Sequence, residues 1–218
     1  MSLTPAPDFT DVHPGTDEFR GHLRTAGKIL NQHDPECRFS VYPRHIHRIA
    51  GWDRDAVLLE KPGEGRQVIM RPVTAGEAQI QGALPSTWAI TSGGETVAIR
   101  YAAASMHEGC GVDMTSAGFQ ATLRAIAAAF AEAGLHEYLE LTIGPKLLGT
   151  SLEAGDFTLE TSQPGDTTLT VNVIAKPSDL DPDDDTIACW SRRPNGGATE
   201  YMELVPSGGC NHGTGGRP

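Results

Sequence analysis

Apolar residues recur at helical spacing in two places along this chain and alternate with polar ones in most of what lies between and after. The first helical stretch is residues 17–32. Asp17 and Glu18 fill a first turn behind Thr16 as N-cap, and Phe19, Leu23, Ala26, Ile29 and Leu30 form one stripe. His33-Asp34-Pro35 ends it, because a proline disfavours helix in the residue before it. The second is residues 116–133, where Phe119, Leu123, Ile126 and Phe130 repeat among alanines and Gly134 supplies the stop.

Between them the pattern predicts strands at 38–49, 56–61, 66–73, 77–82, 87–91 and 95–106. The breakers are Lys61-Pro62-Gly63-Glu64-Gly65, Thr74-Ala75-Gly76, Leu84-Pro85-Ser86 and Ser92-Gly93-Gly94. After the second helix, Tyr138–Ile143 alternates, with Leu139, Leu141 and Ile143 on one face. A hairpin is expected from 157–161 and 168–175, and a last one from 186–192 and 199–205 around Pro194-Asn195-Gly196-Gly197. No internal repeat is evident.

These elements predict an α+β fold, a mainly antiparallel sheet with two packed helices and a C-terminal hairpin. Short connections imply a meander. The expected organisation is a flexible arm at 1–15, a single domain over 16–178, an acidic linker at 179–185, the hairpin at 186–206 and a flexible glycine-rich tail at 207–218.

Composition narrows the function classes. The chain has 218 residues, 39% of them hydrophobic, enough for one sizeable core. Its formal net charge of −11 argues against a nucleic-acid partner, which calls for a basic patch, and against anionic membranes. Residues 1–8 carry neither the basic nor the apolar run of a secretory leader, and Ala125–Ala133 is too short to cross a bilayer. Cys37, Cys110, Cys189 and Cys210 are scattered and read as reduced thiols. The expectation is a cytoplasmic protein, with a composition suggesting a bacterial source.

The candidate chemistry starts at Arg38–Ile49. Read as a strand, it puts Phe39, Val41, His45, His47 and Ile49 on one face and Arg38, Ser40, Tyr42, Arg44 and Arg48 on the other. Imidazoles at His45 and His47 can converge on one cation. His107, which continues the row Val97, Ile99, Tyr101, Ala103 and Ser105, is the candidate third ligand, with Glu60 or Cys110 completing a zinc or iron site. Cys110, between two glycines, is a candidate nucleophile that His107 or Glu108 could orient or serve as base, and Glu60 a candidate acid or base. Cys210 and His212 in the tail, and a His107–Asp166–Ser207 order, are weaker constellations. The run Asp179–Asp185 lacks the glycine and final acid of a calcium loop, and no phosphate-binding glycine motif is present. Arg38, Arg44 and Arg48, with Arg71 and Arg100, could gather a carboxylate or phosphate ligand, although ordinary pairing with Asp and Glu explains such a face more simply. None of these motifs places the chain in a recognised family.

Two expectations follow. The first is a small cytoplasmic enzyme acting on a small polar metabolite in a pocket where His45, His47 and His107 bind a divalent metal or do acid–base work. The second is a non-catalytic accessory protein, such as a chaperone, immunity or assembly factor, with a protein partner and structural histidines.

Overall fold

A computed structural model describes residues 17–36, 38–44, 56–107, 112–143, 157–162, 168–174, 185–192 and 198–205, with side chains described up to residue 143 and at Thr168. The helices are α1 (Asp17–His33), α2 (Ala75–Ile80), α3 (Ala104–His107) and α4 (Ala117–Glu132), with a 3-10 turn at Leu135–Glu137. The strands are β1 (Phe39–Pro43), β2 (Val57–Pro62), β3 (Gln67–Val73), β4 (Leu84–Ile90), β5 (Thr96–Ala102), β6 (Leu139–Ile143), β7 (Phe157–Ser162), β8 (Leu169–Ile174), β9 (Asp185–Arg192) and β10 (Ala198–Val205). The fold is α+β, as the patterning predicts.

Among the described residues the ten strands close into one barrel, in the order β1-β6-β4-β5-β2-β3-β8-β7-β10-β9. The sheet is mixed rather than a meander. Most neighbours are antiparallel, but β2 runs parallel to β5 and β7 parallel to β10. The last hairpin belongs to this sheet, since β10 pairs with β7 and β9 pairs with β1 at Val41↔Trp190.

The order of strands contains a repeat that the sequence conceals. Both β4-β5-β2-β3 and β9-β10-β7-β8 are two hairpins joined by a parallel contact. Corresponding elements start 100 to 102 residues apart: 17 and 117, 39 and 139, 57 and 157, 67 and 169, 84 and 185, 96 and 198. Equivalent strands meet each other at two places in the ring, β1 with β6 and β3 with β8, and both pairs are antiparallel. That is the arrangement of a pseudo-two-fold axis. Val41↔Leu141 lies at the middle of the β1–β6 pair, and Trp88↔Leu141 in one half matches Trp190↔Val41 in the other. Few residues echo the repeat: Phe19, Leu23 and Arg24 against Phe119, Leu123 and Arg124, and Leu59-Glu60 against Leu159-Glu160.

Three sequence expectations change. Residues 77–82 are not a strand. Thr74 and Glu77 form a reciprocal capping box, and that local signal starts α2 instead. Leu84-Pro85-Ser86 does not break the chain but opens β4, with Pro85 beside a bulge, where a strand tolerates it. His107 does not continue a strand, because β5 stops at Ala102 and α3 follows.

The helices α1 and α4 pack on each other and on one face of the sheet. Phe119 of α4 lies 5.0 Å from Phe39 and 6.1 Å from Trp88, ring centroid to centroid, and all three rings are buried. The turn from α1 into β1 is held by Asp34, fully buried, which accepts from the Phe39 amide at 2.9 Å and from Arg38 Nε at 3.2 Å. Arg38 also donates to Thr122 Oγ1 on α4 at 2.8 Å. On the same face, α2 covers Val57, Leu59, Val73 and Tyr101 through Ala78. Helices therefore occupy the outside of the ring, and the alternate residues of these strands face its interior.

The β4–β5 turn shows how closely the outer layer is fitted. Gly94 has φ +77°, and a Cβ there would stand 3.0 Å from the Ala128 backbone of α4, whereas Gly82, at φ +70°, has open space around it. Gly94→Ala should therefore lower stability by about 2–4 kcal/mol, against about 1–2 kcal/mol for Gly82→Ala. Denaturant unfolding of the two variants checks this, and equal losses would contradict it.

Candidate functional site

A slip in register builds the candidate site. Trp88 pairs with Ala98, yet its neighbour Thr87 pairs with Arg100, so β5 advances two residues while β4 advances one. Ile99 is the extra residue, and the next side chain changes faces. Strict alternation would leave Arg100 beside Ala98 under the helices. The bulge turns it inward with Thr87. A compensating slip between Thr87 and Pro85 leaves Ser86 as the extra residue of β4.

Arg100 then meets residues from three other strands. Its Nη1 lies 3.9 Å from Glu60 Oε1 on β2 and 3.8 Å from Met70 Sδ on β3, and its guanidinium sits 5.3 Å over the Tyr42 ring of β1. Ser86 Oγ donates to Glu60 Oε2 at 2.9 Å. Both charged side chains are nearly inaccessible, at 6% and 9%. A pair this deep adds little net stability, because desolvation offsets the attraction, but removing one partner leaves a buried charge unanswered.

Glu140 is the second acid on this inner face. It stands opposite Tyr42 in the β1–β6 ladder. Burial pushes its pKa up to about 7, and the attraction of Arg100 and Arg44 only partly opposes that. Arg44 is itself held by a 3.1 Å bond from Nη1 to the His136 carbonyl, and burial lowers its pKa against the pull of Glu140 and Glu137. Among the described residues two buried oxygens here have no hydrogen-bond partner, Glu140 Oε2 and Ser40 Oγ. Their neighbour Thr142 is satisfied, sharing a 3.0 Å bond with Thr87 Oγ1 and donating to the Ser86 carbonyl at 3.2 Å. Ser40 and Glu140 occupy corresponding places on either side of the pseudo-two-fold axis.

Of the residues expected from sequence, Glu60 lies in this cluster. It accepts a bond from Ser86 and is ion-paired with Arg100. His107 ends α3, half-buried, near the Leu84 and Ala102 backbone. Those backbone groups favour its charged form, but burial outweighs them and lowers its pKa, so the ring is neutral at pH 7. Neither ring nitrogen reaches a partner with good hydrogen-bond geometry. His45, His47 and Cys110 lie outside the described residues, as do the tail constellation and the acidic run before Asp185. Among the described residues no three His, Cys, Asp or Glu side chains gather as a metal site needs. The arginine face disperses into pairs. Arg38 turns to Asp34 and Glu36, Arg100 to Glu60, and Arg71 donates to Gln81 at 3.3 Å. Reading alternation alone missed Glu140, Tyr42 and Ser40 as a unit, because nothing local marks β6 as the neighbour of β1.

In comparison with known proteins, no family model, curated protein or solved structure matches this chain. No helix among the described residues is long and apolar enough to cross a membrane.

The raised pKa of Glu140 has a direct consequence. In the folded chain its carboxyl keeps its proton to about pH 7, against an ordinary value of 4.5. Between those values the folded state holds a proton that the unfolded state has lost, so stability falls as pH rises. The loss amounts to about 3 kcal/mol once pH passes 7. Glu140→Gln should therefore match the parent near pH 4 and exceed it by up to about 3 kcal/mol at pH 8, measured by denaturant unfolding. A variant less stable than the parent at pH 8 would contradict this assignment.

Proposed function

We propose that this protein binds a small polar molecule inside its barrel, against the face formed by Ser40, Tyr42, Arg100 and Glu140. The observation that carries the reading is the pair of buried oxygens, Glu140 Oε2 and Ser40 Oγ, that the protein itself leaves without partners. Leaving a buried polar group unsatisfied costs about 1–3 kcal/mol, so a wall that keeps two of them at diagonal positions suits a guest that completes them. Barrel size supports the same reading. Eight strands enclose a space that side chains fill or that holds one small ligand, and ten enclose more. Of the two sequence expectations, the small polar ligand fits this interior better than the protein partner does, since Glu60, Arg100 and Glu140 are buried on the inner face.

A thermal-shift screen of small polar metabolites, sorted into amines, acids and neutral polyols, tests the reading. One class should raise the melting temperature of the parent. A ligand at 100 times its Kd adds about 2.7 kcal/mol, or roughly 5–10 °C for a chain of this length. The shift should be lost in the double variant S40A/E140Q. No shift with any class, or a shift unchanged in the double variant, would overturn the proposal.

His107 supports a second, separate proposal. Its neutral ring with two unpartnered nitrogens suits a zinc or iron ligand, with His45 and His47 as its companions. Elemental analysis of protein purified without a metal-affinity step should then find one zinc or iron per chain, falling well below that in His107→Ala. Metal-free protein would end this reading.

A further inference from the structure

The chemistry of the two open oxygens names the class of guest. We infer that the barrel binds a small ligand carrying a protonated amine, with the ammonium placed between Glu140 and Ser40. This rests on the interior-binding reading above and goes beyond it in choosing a charge.

Three observations select an amine over an acid. First, the unmet atoms are oxygens. A carboxylate oxygen calls for a donor and a serine hydroxyl can accept one, and an ammonium brings three N–H donors. An anion brings none. Second, the cations of the site are already engaged. Arg100 faces Glu60, Met70 and the Tyr42 ring, and Arg44 donates to the His136 carbonyl. Third, the charge of Glu140 is only partly answered. Among the described residues Arg100 from β5 and Arg44 beyond β1 attract it, with Tyr42 opposite, and burial outweighs that attraction.

The spacing suits a small head group. Ser40 and Glu140 are diagonal neighbours across β1 and β6, because Ser40 pairs with Thr142 and Tyr42 with Glu140. Diagonal positions stand about 7–8 Å apart, and both side chains reach inward from there. An ammonium bridges that gap with one hydrogen bond to each.

Binding is then coupled to a proton. At pH 7 about half of the Glu140 carboxyls are protonated, and the arriving ammonium displaces that proton to solvent, so about half a proton leaves per amine bound. Affinity should rise by several-fold from pH 6 to pH 8, since Glu140 ionises over that range while an aliphatic amine stays charged.

The test uses the full chain with paired probes, ethanolamine against ethylene glycol and putrescine against 1,4-butanediol, with acetate as the anion. The expected result is a melting-temperature rise with the two amines alone, growing from pH 6 to pH 8 and absent in Glu140→Gln. That variant should fold, because it keeps the shape and removes only the charge. Calorimetry of the better amine in phosphate and in Tris should give heats that differ by the buffer's ionisation of about half a proton. Equal shifts with amines and diols would overturn the inference, as would an amine shift that survives Glu140→Gln or heats independent of buffer. If acids or polyols shift the parent and not S40A/E140Q, the interior-binding reading stands and the amine is wrong. If no class shifts the parent, both fall.

Discussion

The pairing of β1 with β6 is the contact on which the rest of this molecule depends. It joins two halves that share one strand order, and it lies on the axis that relates them. Its outer residues, Phe39 and Val41 with Leu139 and Leu141, form the floor on which α1 and α4 rest. Its inner residues, Ser40 and Tyr42 with Glu140 and Thr142, form the polar wall of the interior. All five residues of β6 are buried for this reason. A strand with a helix layer on one side and a closed ring on the other has no wet face, even though its sequence alternates.

Burying a polar wall requires compensation, and most of it comes from backbone irregularity. The slip at Ile99 delivers Arg100 to the interior, and the slip at Ser86 delivers a hydroxyl to Glu60. Two bulges within four residues of β4 and β5 thus assemble an ion pair that strict alternation would have split between opposite faces. The same wall stops short of completing Glu140 and Ser40. Among the described residues Glu140 Oε2 and Ser40 Oγ are the two buried side-chain oxygens without a hydrogen-bond partner, and they lie on either side of the axis.

Much of the fold was legible in the chain. The helices at 17–33 and 117–132 follow from Phe19–Leu30 and Phe119–Phe130 spacing, and the structure adds Ser116 as the N-cap of the second, its side chain accepting from the Phe119 amide. The hairpins β7–β8 and β9–β10 follow from alternation and their turns. What could not be read was non-local. Nothing in Leu139–Ile143 says that it inserts between β1 and β4, and nothing in Val57–Pro62 says that it runs parallel to β5. The repeat is hidden in the sequence because so few side chains preserve it, while the order of strands keeps it. The site was half legible. Glu60 is legible as a single acid and Arg100 as an arginine that pairs with some Asp or Glu, but not that the two meet, since a bulge has no signature in an apolar–polar pattern. The inner face of β1 was legible as Ser40, Tyr42 and Arg44, yet its meaning waited on Glu140, a hundred residues away.

The central claim is that Glu140 is buried in the interior without a complete set of partners. Titration of its carboxyl carbon by NMR, in the ligand-free chain, tests this most directly. The account predicts an apparent pKa near 7, moving down when an amine is added. A value at or below the ordinary 4.5, unmoved by amines, would mean that the carboxyl is solvated or already satisfied, and the interior site would lose its foundation.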